Sequence, residues 1–182
     1  MALTYTPDPK IGMPCPNFSL LAVDGKTYSL DSIDNFKALV IMFICNHCPY
    51  VKALEDRLIE LGNSVDRNKA CILAICSNDP ESYPEDSFEN LQKRWVEKNY
   101  SFPYLHDQTQ EVAKSFGAVC TPDFFVFDKN KKLAYRGRLD DSWKEPNKVK
   151  KQELKLAIDA LVNDQLPEAE QKPAMGCSIK WR

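Results

Sequence analysis

The sequence predicts an α/β protein with a central mixed β-sheet and helices on both of its faces. Three observations carry that expectation. The run Ala38-Leu-Val-Ile-Met-Phe-Ile44 is apolar throughout, as a strand covered on both faces must be. A second such run, Ala70 to Ile75, follows after one helical segment, giving the strand–helix–strand order of a parallel crossover. Finally, Asp123-Phe-Phe-Val-Phe127, a turn at Asp128 to Asn130, and Leu133 to Arg136 read as an antiparallel hairpin that closes the sheet.

The elements follow in order. Thr27 to Leu30 and Phe36 to Cys45 are extended segments, the second being the central strand. From about Asn46 the period becomes helical, with Val51, Leu54, Leu58 and Leu61 on one face and Gly62 near the stop. After the strand Ala70 to Ile75 comes a helix in which Asp86 and Glu89 have capping-box spacing and Phe88, Leu91 and Trp95 share a face. A short helix from Glu111 to Phe116 ends at Gly117, and the last helix, about Val149 to Val162, turns Leu154, Ile158 and Leu161 inward. Beyond Asn163 the periodicity is lost, so residues 1–163 read as one domain and 164–182 as a C-terminal tail.

Composition narrows the function. A chain of 182 residues with 43% apolar residues buries roughly 70% of its unfolded surface and folds without staples. Lys+Arg 24 against Asp+Glu 26 leaves −2, with no basic stripe for a phosphate backbone, so nucleic acid is not an expected partner. The longest apolar stretch, Ala38 to Cys45, is far short of the roughly 20 residues of a membrane helix. The start MALTYTPDPKIGMPCPNF lacks the basic and apolar regions of a secretory signal, so the expected location is the cytoplasm. Seven cysteines in a chain that needs none structurally then point to thiol, metal or redox chemistry.

Cys45-Asn-His-Cys48 falls where the central strand gives way to helix, which places its first sulfur beside helix N–H groups and the positive end of the dipole. A pair at this spacing closes a small disulfide: one thiolate attacks a substrate disulfide and the other resolves the mixed intermediate. A zinc knuckle shares the spacing but needs a second Cys or His pair, and none exists here. His47 between the sulfurs would favour a thiolate and make the disulfide more oxidising; its bland reading is an exposed imidazole. Pro49 belongs to the first helical turn.

These residues resemble the thioredoxin-like superfamily, in particular its peroxiredoxin-like branch related to alkyl hydroperoxide reductase and thiol-specific antioxidant proteins. Gly12-Met-Pro-Cys-Pro-Asn-Phe-Ser-Leu20 with Asp24-Gly25 looks like that branch's N-terminal hairpin entry, Cys45-Asn-His-Cys48 occupies the redox motif, and Thr121-Pro122 looks like the cis-proline turn. The resemblance implies a thioredoxin-like fold with an N-terminal β-hairpin extension. It also implies that the cis-proline packs against the cysteines and that Thr121 and Pro122 shape substrate docking. There are departures. Peroxiredoxins carry Thr and Pro three and seven residues before the peroxidatic cysteine, where this chain has Met42 and Ala38 before Cys45, and Cys45 and Ile41 before Cys48. The buried acid of thioredoxins has no counterpart in the apolar strand, and Ile44 stands where they carry Trp, which leaves His47 as the candidate base.

The leading expectation is a thiol–disulfide oxidoreductase needing no cofactor, with Cys45 as nucleophile, Cys48 resolving and His47 tuning. Its partners would be protein or small-molecule disulfides and a reducing thioredoxin or glutathione system. A peroxidase with an altered signature is one alternative. Another is a protein holding zinc or cuprous copper between Cys45, Cys48 and Cys120, His47 or Cys177, and a third is a redox-inert interaction module. Cys120 beside the proline turn is either an accessory thiol or packing, and Cys177 either a third redox thiol or an anchor for the tail. Cys15, Cys71 and Cys76 read as packing, His106 as having no chemical role, and Trp181 as seeking a groove or a partner chain.

Overall fold

The computed structural model describes residues 3–182. Along the chain its elements are β1 (Leu3–Tyr5), β2 (Ser19–Leu21), β3 (Thr27–Ser29), β4 (Ala38–Phe43), α1 (Pro49–Ser64), β5 (Ala70–Cys76), α2 (Phe88–Glu97), β6 (Tyr104–His106), α3 (Glu111–Phe116), β7 (Cys120–Thr121), β8 (Asp123–Asp128), β9 (Leu133–Gly137), α4 (Glu153–Val162) and β10 (Met175–Ser178). The main sheet has the order β6-β5-β4-β8-β9. Its first three strands run parallel, and β8 and β9 are antiparallel, so the sheet is mixed as the sequence predicts. β2 and β3 form the antiparallel hairpin that the resemblance implies at the N-terminal side.

Every residue of β4 is buried, and its alternation divides the interior in two. Val40 and Met42 face a core shared with Leu54 and Leu58 of α1, Leu91 of α2 and Ile158 of α4. Leu39, Ile41 and Phe43 face the opposite core, with α3, Phe18 from the N-terminal segment, Phe125 and Phe127. In that second core Phe116 meets Phe43 and Phe125 edge-on, with ring centroids 5.4 and 5.6 Å apart, which suits their quadrupoles. Because both faces of β4 are covered, its C-terminal end is held rigidly, and the site begins there.

Three boundaries differ from the sequence reading. α1 begins at Pro49 with Cys48 as its N-cap residue, since proline without an N–H fits the first helical position. α2 is capped by Ser87, whose side chain accepts from the Asn90 N–H, so Asp86 lies outside the helix and turns inward. α4 starts at Glu153, because the N–H groups of Lys150 and Lys151 are taken by the Asp141 carboxylate instead of by helix carbonyls.

The segment after Asn163 returns to the body of the protein. Its strand β10 lies between β1 and β7 in a small antiparallel sheet, with Cys177 opposite both Leu3 and Thr121. Aperiodic sequence hid this strand, because four residues in an edge sheet leave no pattern of apolar alternation. A Cβ on Gly176 would lie 2.0 Å from the Thr121 carbonyl oxygen and 2.9 Å from the Pro122 nitrogen. Only glycine lets the strand press so closely on that turn. Gly176→Ala is expected to cost about 1–3 kcal/mol through overpacking and to loosen the strand, read as a lower denaturation midpoint and faster amide exchange at Cys177.

Candidate active site

Cys45 follows directly from the end of β4, and Cys48 heads α1. The Thr121–Pro122 peptide bond is cis, and the turn it forms between β7 and β8 faces both cysteines. Cys45 Sγ lies 3.3 Å from Thr121 Oγ1, and Cys48 Sγ lies 3.1 Å from the Thr121 carbonyl oxygen. The two sulfurs also hydrogen-bond each other. Both are almost wholly shielded, with Cys45 2% and Cys48 0% exposed. All seven cysteines are thiols.

The loop that carries the pair hangs on one carboxylate. Asp86, fully buried, accepts from the backbone N–H of Asn46 at 2.8 Å and of His47 at 3.2 Å. Its other oxygen pairs with His47 Nδ1 at 2.5 Å and accepts from Asn78 Nδ2 at 2.8 Å. The His47 ring stacks on Tyr83, with centroids 4.6 Å apart. Its Nε2 is buried without a hydrogen-bond partner among the described residues. The imidazole is therefore fixed by Asp86 and Tyr83 and is not the free surface ring of the bland reading. Asn46 ties the loop down further, donating to the Glu85 and Asn90 carbonyls.

The environment separates the two thiols. Burial, the bond to Cys48 and the Asp86 charge push the Cys45 thiol well above its ordinary range. Cys48 is drawn down to about 5, first by the bond from Cys45, then by the Val51 N–H in the first turn of α1 and by the thiol and N–H of Cys177, against its own burial. The Thr121 carbonyl, to which the Cys48 thiol donates at 3.1 Å, favours the protonated form against these donors. The helix donors thus serve Cys48, whereas the sequence assigned them to Cys45, because the helix starts one residue after the second cysteine.

Cys120 sits beside this group with its thiol donating to the Pro122 carbonyl at 3.7 Å, and burial raises its pKa. Burial also raises Cys15 to about 12, Cys71 to about 11 and Cys76 well above the usual range, as expected of packing residues. His106 packs near Phe88, and Trp181 lies under the Lys114 ammonium. One donor atom each from Cys45, His47 and Asp86 lies within 4.8 Å of the others. That set does not suit a resident metal ion, since four N–H donors already fill the Asp86 oxygens. Sequence reasoning missed Asp86, Asn78 and Tyr83. Ser87, placed three residues before Asn90, offered an alternative cap that would have freed Asp86 for the interior.

A central mixed sheet of this order, with helices on both faces and a cis-proline turn facing a cysteine pair at the end of its central strand, defines a protein of thioredoxin-like fold. The chain belongs to the AhpC/TSA family, whose model matches residues 11–136. It is 44% identical to an uncharacterized conserved protein from Geobacillus kaustophilus of known structure, with a TM-score of 0.94 over 100% of this chain and 97% of that one. The thioredoxin domain of a thiol-disulfide oxidoreductase from Bacteroides vulgatus shares the fold at a TM-score of 0.59 and 17% identity, over 71% of this chain and 89% of that one. A thioredoxin peroxidase from Fasciola hepatica is 23% identical over 69% of this chain and 61% of its own length. The family match and these likenesses support a thiol-based redox function. No helix among the described residues is long and apolar enough to cross a membrane.

Proposed function

We propose that the protein is a thiol–disulfide oxidoreductase working through a Cys45–Cys48 disulfide, with Thr121 and Pro122 shaping the substrate edge and His47 tuning the pair. The observation that carries this reading is the placing of both sulfurs against the cis Thr121-Pro122 turn, Cys45 3.3 Å from Thr121 Oγ1 and Cys48, at the head of α1, 3.1 Å from the Thr121 carbonyl oxygen. In the oxidised protein a substrate thiolate attacks the Cys45 sulfur. The Cys45–Cys48 bond breaks and its electron pair leaves on Cys48, the better leaving group because its thiolate is stabilised. A second substrate thiolate then attacks the substrate sulfur of the mixed disulfide and expels Cys45. Of the two protons the substrate gives up, one ends on Cys45 and the other in solvent. Run backwards, the same steps reduce a substrate disulfide: Cys45 loses its proton and attacks, Cys48 resolves, and the two released substrate sulfurs take up that proton and one from solvent.

Stabilising the reduced pair in this way makes the disulfide a stronger oxidant. The protein would act on protein or small-molecule dithiols and disulfides in the cytoplasm, recycled by a thioredoxin or glutathione system. Titration against glutathione buffers at pH 7, with peptide mapping, is expected to give a Cys45–Cys48 disulfide and a potential above thioredoxin's value of about −270 mV. A protein in which these two cysteines never pair would contradict the reading.

A peroxidase is the second reading, and one observation favours it. Cys45 stands three residues before Cys48, where peroxiredoxins carry Thr, and it hydrogen-bonds a lowered-pKa sulfur at a helix N-terminus. On that reading hydrogen peroxide is consumed rapidly and Cys48→Ser stops it, whereas on the first reading peroxide turnover stays slow and disulfide exchange fast.

A further inference from the structure

We propose that Cys177 is a third redox thiol of the same centre, one that exchanges with Cys45 for the Cys48 sulfur and moves the disulfide from Cys45–Cys48 to Cys48–Cys177. The inference rests on the oxidoreductase reading above and extends it to the C-terminal strand.

Cys48 has a thiol on either side. Cys45 reaches it from the end of β4, and Cys177 reaches it from β10 with both its thiol and its backbone N–H. The strand register sets this up: Cys177 stands opposite Thr121, the residue whose hydroxyl and carbonyl face Cys45 and Cys48. Cys177 is only 2% exposed, so its sulfur is committed to this interior position. Cys120 is a neighbour too, but adjacent strand residues point to opposite faces, and its thiol is turned to the Pro122 carbonyl.

Anchoring does not account for the residue. β10 is paired on both edges, and the chain around it is tied by Thr6 N–H to the Ala174 carbonyl, Asp79 N–H to the Lys180 carbonyl and Gln110 Nε2 to the same Lys180 carbonyl. The strand holds its place without help from a sulfur. The strand pairs with Thr121 itself, so Cys177 stands next to the cysteine pair in the manner of a built-in substrate thiol.

The exchange needs no added oxidant. Cys177 gives up its proton and attacks the Cys48 sulfur of the Cys45–Cys48 disulfide. The Cys48–Cys177 bond forms, the Cys45–Cys48 bond breaks, and Cys45 leaves with the electron pair and takes up the proton. One disulfide and one thiol enter, and one disulfide and one thiol result. The product staples the C-terminal strand to the head of α1 and returns Cys45 to the thiol state.

The test compares the parent protein with Cys45→Ser, each equilibrated with mixtures of oxidised and reduced glutathione, quenched in acid, alkylated and digested without reduction. The parent is expected to yield both Cys45–Cys48 and Cys48–Cys177 linked peptides. Cys45→Ser is expected to yield Cys48–Cys177 as its main disulfide, several-fold above any glutathione adduct of Cys48. If the parent forms Cys45–Cys48 but Cys45→Ser gives only glutathionylated Cys48 or a Cys48–Cys120 link, the inference is overturned and the oxidoreductase reading survives. If Cys45 and Cys48 do not pair in the parent, both fall. Should Cys45→Ser fail to fold, the parent map decides alone, since a Cys48–Cys177 peptide supports the inference and its absence overturns it.

Discussion

Cys48→Ser is expected to lower disulfide-exchange turnover by about a thousandfold or more, corresponding to at least about 4 kcal/mol of lost transition-state stabilisation. The sulfur removed is the one around which Cys45, the Val51 N–H and Cys177 converge, so the leaving group of one direction and the resolving nucleophile of the other disappear together. Cys45 keeps its place between Thr121 and the end of β4, and a substrate bonded to it has no internal thiol on Cys48 to release it. The variant should therefore accumulate mixed disulfides on Cys45 as it loses turnover. Mass spectrometry of the Cys45 peptide after incubation with oxidised glutathione reads both effects. Turnover within tenfold of the parent would mean that Cys48 takes no part in the exchange. A serine hydroxyl fits the space of the thiol, so the fold should survive, which circular dichroism checks independently.

Asp86→Ala should produce the largest loss of stability among single changes at the site, about 3–5 kcal/mol, because it takes the fully buried acceptor away from four N–H donors, one buried and three partly buried. For a protein of this size that corresponds to a fall in melting temperature of roughly 10 °C. The change also removes a negative charge that holds the Cys45 proton in place, so Cys45 should become more reactive toward iodoacetamide even as the protein weakens. A merely structural aspartate would give the first effect without a rise in Cys45 labelling under conditions where the variant remains folded.

Much of this was legible because the strongest signals were local. The apolar run of β4 could only be a doubly covered strand, and the cysteine pair with Pro49 could only sit at a strand-to-helix junction. The cis-proline turn followed from its likeness to a known family and not from any spacing. What stayed hidden depends on tertiary meetings. Asp86 has ordinary helix-capping spacing with Glu89, and nothing local says that Ser87 wins the cap and sends the carboxylate inward under a loop nearly forty residues upstream. β10 is four residues long, with Gly176 chosen for contact with a turn that sequence distance does not reveal. Which of the two cysteines receives the helix donors turned on a one-residue difference in the start of α1.

The charge on Cys48 also couples redox state to pH. Its folded-state pKa of about 5 lies below the ordinary thiol value of 9.0, so the stabilisation of the reduced fold grows between those values and is lost as pH falls through about 5. On the proposed reading, reduction of the pair above that point takes up two electrons but one proton, with Cys45 protonated and Cys48 a thiolate. The most direct test is the potential of the Cys45–Cys48 couple measured from about pH 6 to pH 8, after subtracting the pH dependence of the reference couple itself. A decline of about 30 mV per pH unit is predicted, the value for one proton per two electrons. A decline of about 60 mV per unit throughout would show both cysteines protonated in the reduced protein and would contradict the assignment of the thiolate to Cys48.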